Sequence, residues 1–185
     1  MRSVVAMTGA SGSIYGIRLL QELPGEKILV MSKVAKAILP VETDYTLKQV
    51  EALADAVYQD DDMFAPISSG SYQYDVLFVA PCTESSVAKF ACGIGDTLIS
   101  RAVMCALKEH RKTFLLTRET PKDAIMLENE LKLARNGAII MDANPGFYPH
   151  PKTVEEVVDF VIGRCLQMAG VPQALFKPWN GRQDE

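Results

Sequence analysis

Five short, largely apolar runs separated by helical periods constrain this chain more than any other feature. Ser3–Met7 (SVVAM), Lys27–Met31 (KILVM), Val76–Ala80 (VLFVA), Phe114–Thr117 and Ala138–Met141 read as strands. Near-continuous apolar strands are buried on both faces, which is the habit of parallel rather than antiparallel sheets. The segments between them carry helical spacing. Ile14, Ile17, Leu20 and Leu23 mark a helix over 14–23. Val34–Leu39 reads as a short helix stopped near Pro40, and Leu47–Ala56 as a further helical stretch. Further helices are predicted over Ser86–Ala91, Thr97–Glu109 and Lys122–Asn136, the last stopped by Gly137. Thr153 and Glu156 form a capping-box pattern that opens a helix through Met168. Strands flanked by helices imply an α/β fold: a doubly wound parallel sheet with helices on both faces, a three-layer Rossmann/flavodoxin-like sandwich. It is read as closer to the flavodoxin-like type, because the chain is too short for two mononucleotide halves and a catalytic domain.

At 185 residues, residues 1–185 are expected to form one domain, with an extended tail from about residue 175. A net charge of −4 argues against a nucleic-acid binder. The four cysteines form no C-x-x-C pair and only two histidines occur, so no metal site is expected. The first residues turn polar too soon for a signal peptide, and no apolar run approaches the ~20 residues of a membrane span. A cytoplasmic location with free thiols is the expectation.

The first strand-to-helix turn is Thr8-Gly9-Ala10-Ser11-Gly12-Ser13. Glycines permit the tight bend, and the free N–H groups opening the next helix suit a phosphate. Its glycines at 9, 12 and 16 are not G-x-G-x-x-G, and the second strand runs into a lysine, so NAD is disfavoured. Nor is it a G-x-S-x-G nucleophile elbow. The plain alternative is a ligand-free turn; the two hydroxyls favour phosphate or flavin contact.

Arg101 and Lys108, seven apart on one helix, share a face, and Arg118-Glu119 directly follows a strand. Ligands of open parallel sheets bind at strand carboxyl ends, where these cations would neutralise a leaving phosphate. The plain reading is a solvated helix face and a surface ion pair, which wins for Lys108 alone. Glu42, in a loop after the second helix, is by itself an ordinary solvated residue. Ser69-Gly70-Ser71 is a small-residue turn that admits a ring or is simply a loop. Tyr148 lies in a proline-rich loop after a strand end, Arg164 interrupts an apolar helix face, and Trp179 stands in a polar tail, covering a site or docking on a neighbour.

GASGSIYGIRLL, MSKVAKAILPVETD, SSGS, Pro81-Cys82, LISRA, ALKEHRK, TRET, GFYPHP and KPW, in this order and over nearly the whole chain, resemble the UbiX-type flavin prenyltransferases. The resemblance implies joining the dimethylallyl group of dimethylallyl monophosphate to N5 and C6 of reduced FMN, without a metal. The product, prenylated FMN, is consumed by a separate UbiD-type decarboxylase, and a homo-oligomer, commonly a dodecamer, is implied. It puts Gly9, Ala10, Ser11, Ser32, Ser69, Ser86 and Arg101 at the flavin, with Ser11 and Glu42 as a pair near N5 and C6. Lys108, Arg118, Glu119, Tyr148 and Arg164 match the prenyl-phosphate site and Trp179 the prenyl-pocket lining; Ser11, Glu42, Lys108 and Glu119 are the implied catalytic set. This chain departs from the family pattern at Met63 (aromatic in many members), Thr83-Glu84-Ser85-Ser86, Asp96-Thr97 and FYPHP. Two other readings stand beside it: an FMN-dependent cysteine decarboxylase, whose active-site histidine and P-x-M-N segment are missing here, and a flavin storage or delivery protein.

Overall fold

The computed structural model describes residues 1–181. Six parallel strands form one sheet: β1 (Arg2–Met7), β2 (Glu26–Met31), β3 (Ala56–Gln59), β4 (Val76–Cys82), β5 (Lys112–Thr117) and β6 (Ile139–Asp142). Their spatial order is β3-β2-β1-β4-β5-β6. Seven helices connect them: α1 (Ser13–Glu22), α2 (Lys33–Glu42), α3 (Leu47–Glu51), α4 (Glu84–Ala91), α5 (Leu98–Lys108), α6 (Ala124–Arg135) and α7 (Val154–Ala169).

Alternation along the strands divides the core into two layers. Val5, Met7, Leu29, Met31 and Phe78 pack with Ile17 and Leu20 of α1, Leu39 of α2, Val50 of α3 and Val161 and Ile162 of α7. Val4, Ala6, Ile28, Val30, Leu77 and Val79 pack with Val87 of α4, Val103 of α5 and Leu133 of α6. Phe78 and Phe114 stack at 4.8 Å between centroids, and truncating either fully buried ring to alanine would cost about 3–5 kcal/mol.

Three local expectations need correction. Residues 47–56 are not one helix: α3 ends at Glu51, and Ala56–Gln59 forms edge strand β3. Leu47, Val50 and Val57 keep a helical spacing across the break, which hides a four-residue strand. Leaving β3 out gives the flavodoxin order 2-1-3-4-5; counting it gives the dinucleotide-binding order 3-2-1-4-5-6. Second, α2 runs through Pro40 to Glu42. Proline there removes a single N–H near the helix end, and the Thr43 N–H still reaches Leu39 O at 3.1 Å. Third, the box at α7 is half formed. Thr153 accepts from the Glu156 N–H at 3.2 Å, but the Glu156 carboxylate takes the N–H of Lys152 instead.

β1 lies between β2 and β4, so the winding reverses there. In open α/β sheets the ligand crevice lies outside the carboxyl ends of the strands at that reversal.

Candidate active site

A cleft of about 340 Å³ opens at this reversal. Thr8 and Gly9 come from the end of β1, Ser32 from the end of β2, Thr83, Ser85 and Ser86 from the end of β4. Three of its residues are helix N-caps. Ser32 accepts from Ala35 N, Thr83 from Ser86 N and Thr97 from Ser100 N. The N-termini of α2, α4 and α5 therefore converge on one space, with Lys89 at its wall. The N-termini of α2 and α4 and the hydroxyl groups between them suit the phosphate of a mononucleotide, while Lys89 is paired with Asp96 at 2.7 Å and Asp60 of the lining caps α5. Gly9 is required for close packing, since a Cβ there would lie 2.3 Å from Val34 Cγ1. Thr8, Thr83, Ser85, Thr97 and Ser100 lie in the motifs quoted from the sequence without a contact assigned to them, and Lys89 lies in none of those motifs. The signal for the hydroxyl residues is a Ser or Thr where a helix opens; Lys89, inside α4, carries no such signal.

The turn 8–13 itself is used differently from expectation. Glu42 Oε2 accepts from Gly12 N at 2.9 Å, Ser13 N at 3.0 Å and Ser13 Oγ at 3.1 Å. The opening N–H groups of α1 are thus filled by the Glu42 carboxylate, as those of α5 are filled by Asp60, whose main-chain carbonyl accepts from Leu98 N at 2.7 Å and whose carboxylate accepts from Ile99 N at 2.9 Å. Burial alone would raise the Glu42 carboxyl, but hydrogen bonds from the Ser11 hydroxyl and from Ser13 and Gly12 outweigh it and hold the group below the usual range. Gly12 adopts φ 115°, a conformation that favours glycine. Arg118, just past β5, donates Nε–H to Ser11 O at 3.2 Å. Ser11, Glu42 and Arg118 are brought together at one mouth.

Next to that mouth a space of about 400 Å³ is lined by Thr117, Arg118, Glu119, Thr120, Lys122, Asp142, Ala143 and Asn144. The proline-rich loop and tail line a separate cavity against α7. Tyr148 meets Phe160, Phe176 and Trp179 edge-on at 5.6, 6.5 and 5.7 Å between centroids. They border this cavity, of about 670 Å³. Gly146 and Gly163 permit this packing, because a Cβ on either would lie 2.5 or 2.6 Å from Phe160 or Phe176. Arg164 is exposed one turn beyond Phe160 on α7 and donates to Gln167 Oε1 at 2.8 Å. Trp179 is exposed on its other side.

Lys108, Ser69 and Arg101 lie elsewhere. Arg101 and Lys108 do share a face of α5; a short 3₁₀ turn (Pro66–Ser68) packs against it at Arg101, while Lys108 is exposed. Arg101 Nε–H donates to Ser68 O at 3.0 Å, and Lys108 pairs with Glu109 at 2.7 Å beside Gly70. Lys108 closes the helix that leads into the first residue of β5, whereas Arg118 follows its last. A six-residue strand spans roughly 20 Å, so within one chain these two cations stand at opposite ends of β5, Lys108 on the amino side and Arg118 on the carboxyl side. The expected gathering of Lys108 with Arg118 does not occur inside a single chain. Met63 and Phe64 are exposed just before the 3₁₀ turn, with Phe64 almost fully in solvent.

Comparison with known proteins bears on these features. The Flavoprotein family model matches residues 1–166. The chain is 43% identical to the flavin prenyltransferase UbiX of Thermoplasma acidophilum, over 97% of this chain and all of that protein. It is 44% identical to the mitochondrial flavin prenyltransferase PAD1 of Saccharomyces cerevisiae, over 97% of this chain and 76% of that one. Among solved structures, AnUbiX (PadA1) in complex with FMN and dimethylallyl pyrophosphate superposes with a TM-score of 0.96 at 43% identity, covering 98% of both chains. A dodecameric FMN-dependent UbiX-like decarboxylase from Escherichia coli O157:H7 gives 0.95 at 42% identity, covering 98% of this chain and 100% of that one. The FMN-dependent cysteine decarboxylase TvaF, at 16% identity and a TM-score of 0.62, shares the fold alone.

Proposed function

The chain belongs to the Flavoprotein family and, within it, to the UbiX-type flavin prenyltransferases; from that premise we propose that it joins the dimethylallyl group of dimethylallyl monophosphate to N5 and C6 of reduced FMN. The observation that carries this reading is the adjacency of two features: the cleft where α2 and α4 begin, and the mouth where the Arg118 guanidinium meets the Ser11 turn.

FMN, when bound, supplies the electron-rich ring positions; the protein binds, orients and moves charge. Gly9, Ala10, Ser32, Thr83 and Ser86 hold its phosphate and ring edge. Arg118, with Arg164 and Tyr148, takes the donor's phosphate. An allylic ester ionises as its leaving oxygens are neutralised, so guanidinium groups placed there lower the barrier. Tyr148, Phe160, Phe176 and Trp179 offer aromatic faces that stabilise a cation-like allyl fragment and exclude water. Glu42 is ionised at neutral pH and stands ready as the acceptor of the ring proton. Its hydrogen bonds make it a weak base, so the released phosphate, with a second pKa of about 6, is the better final acceptor.

Lys108 and Ser69 enter this reading through assembly, whereas Glu119 lines the space beside Arg118 in the same chain. Lys108 stands far from Arg118 in its own chain, and a relative is dodecameric, which supports a homo-oligomer in which one copy lends Lys108 and Ser69 to the site of another. The product is read as the cofactor of a UbiD-type decarboxylase. A cytoplasmic location suits the four free cysteines, and no helix of the described residues is long and apolar enough to cross a membrane.

The test is anaerobic incubation with reduced FMN and dimethylallyl monophosphate, followed by flavin mass and phosphate release. A mass gain of one dimethylallyl group with phosphate release is the expected result. Tight FMN binding with unchanged mass, for both mono- and diphosphate donors, would mark a delivery protein instead.

A further inference from the structure

Four charged side chains meet behind the loop that carries Arg118 and Glu119. Lys122, at the end of that loop, donates to Thr117 Oγ1 at 3.1 Å and to Glu130 Oε1 of α6 at 2.7 Å, and contacts Asp142 of β6. Thr117 also donates to Asp142 at 2.9 Å. An ammonium has three N–H donors, and here all three are used. Glu84 lies in the first turn of α4, which packs on α6, so that its buried carboxyl neighbours that of Glu130. Glu84 and Glu130 are each only 8% exposed, and neither oxygen of Glu84 finds a donor.

Two buried carboxylates in contact repel, and a buried carboxylate without a donor is costly. A single proton resolves both problems, because a protonated carboxyl donates to its ionised neighbour. We infer that Glu84 and Glu130 share one proton, and that this acid pair, bridged by Lys122 to Thr117 and Asp142, is a positioning device that sets the Arg118–Glu119 loop for the donor phosphate. The positioning half rests on the prenyl-transfer reading; the shared proton does not.

The surroundings agree. Burial first, then Glu130, pushes the Glu84 carboxyl up to about 7; Lys122 opposes and Glu119 adds to the rise. Cys82 at the end of β4, buried beside Glu84 and Glu130, is pushed far up and stays a thiol. The groups facing Glu84 are therefore Glu130 of α6, Lys122 and Glu119 of the loop, and Cys82 of β4. When Glu84 loses its proton, two carboxylates compete for Lys122, and its hold on Thr117 and Asp142 weakens. The loop start at Thr117 and its end at Lys122 are then no longer tied together, and Arg118 and Glu119 lie between them. Glu84 also sits between Thr83 and Ser85, both in the wall of the proposed flavin cleft, so the pair touches both halves of the site.

Infrared difference spectra of the full chain between about pH 6 and about pH 8.5 test the proton directly. A protonated-carboxyl band that disappears across this range in the parent protein, and is missing in Glu84→Gln, is expected. No such band, or one unchanged by the substitution, would overturn the acid pair. Lys122→Met tests positioning. The donor KM should rise at least about tenfold while FMN affinity stays within about twofold, and Lys122→Arg should recover most of the loss. In the parent the donor KM should climb above about pH 7, and in Glu84→Gln it should stay flat. An unchanged donor KM in Lys122→Met, or losses in kcat, FMN affinity and melting temperature that move together, would leave only a structural role. Should Lys122→Met not fold, the pH profile of Glu84→Gln decides. If the parent protein transfers no prenyl group at all, the function falls while the infrared result still decides the acid pair.

Discussion

Arg118 Nε donates to the main-chain carbonyl of Ser11 at 3.2 Å, joining residues 107 positions apart. The bond fastens the loop after β5 to the turn after β1, so the donor's proposed phosphate ligand and the proposed flavin turn move as one.

Arg118→Lys keeps the charge but loses the planar fork that serves the carbonyl and a phosphate together. The kcat/KM for the prenyl donor should fall on the order of a hundredfold, with FMN binding reduced far less. Steady-state kinetics beside flavin fluorescence titration checks this; equal losses in both would mean that Arg118 acts on the flavin turn alone.

Glu42 caps α1 as a carboxylate, and Glu42→Gln should cost about 1 kcal/mol, or a few degrees of melting temperature. The folded pKa lies below the ordinary 4.5. Its stabilisation is therefore present above about pH 4.5 and lost as pH falls through the folded value. Melting curves between pH 7 and pH 3 should show a steeper acid decline in the parent than in the variant.

For Glu84 the sign reverses. Its folded pKa, about 7, lies above the ordinary 4.5. Between those values the folded chain holds more protons than the unfolded one, so stability falls as pH rises through the window. Glu84→Gln removes that slope and should raise the melting temperature at pH 8 by a few degrees. A melting temperature that is unchanged or lower at pH 8 would count against a strained buried carboxyl.

Lys108→Ala and Arg118→Ala should each abolish most turnover. If Lys108 of one copy serves the site of another, unfolding the two variants together and refolding them as mixed oligomers restores activity to about a quarter of the sites. No recovery, with mixed assembly verified by mass, would place both residues in the same chain's site or remove Lys108 from the chemistry.

What the sequence alone determined is local. Apolar runs such as Val76–Ala80 and helical spacing such as Ile14, Ile17 and Leu20 are decided by neighbours a few residues apart, and they specified the parallel α/β class. The motifs GASGS and TRET named the turn and the strand end where ligands of such folds bind. Glu42 read as a solvated loop residue because its partners, Gly12 and Ser13, are some 30 positions away and are met only when α2 packs beside α1. The four-residue strand β3 was hidden because its spacing continued that of α3, and with it went the true strand order. Lys108 and Arg118 were expected to gather at the strand carboxyl ends, but β5 lies between them and puts Lys108 at its amino end. Lys122, Glu84, Glu130 and Asp142 come from four different segments. Only the order of the strands, which no local pattern encodes, brings Lys122 against both the buried Glu130 and the exposed Asp142.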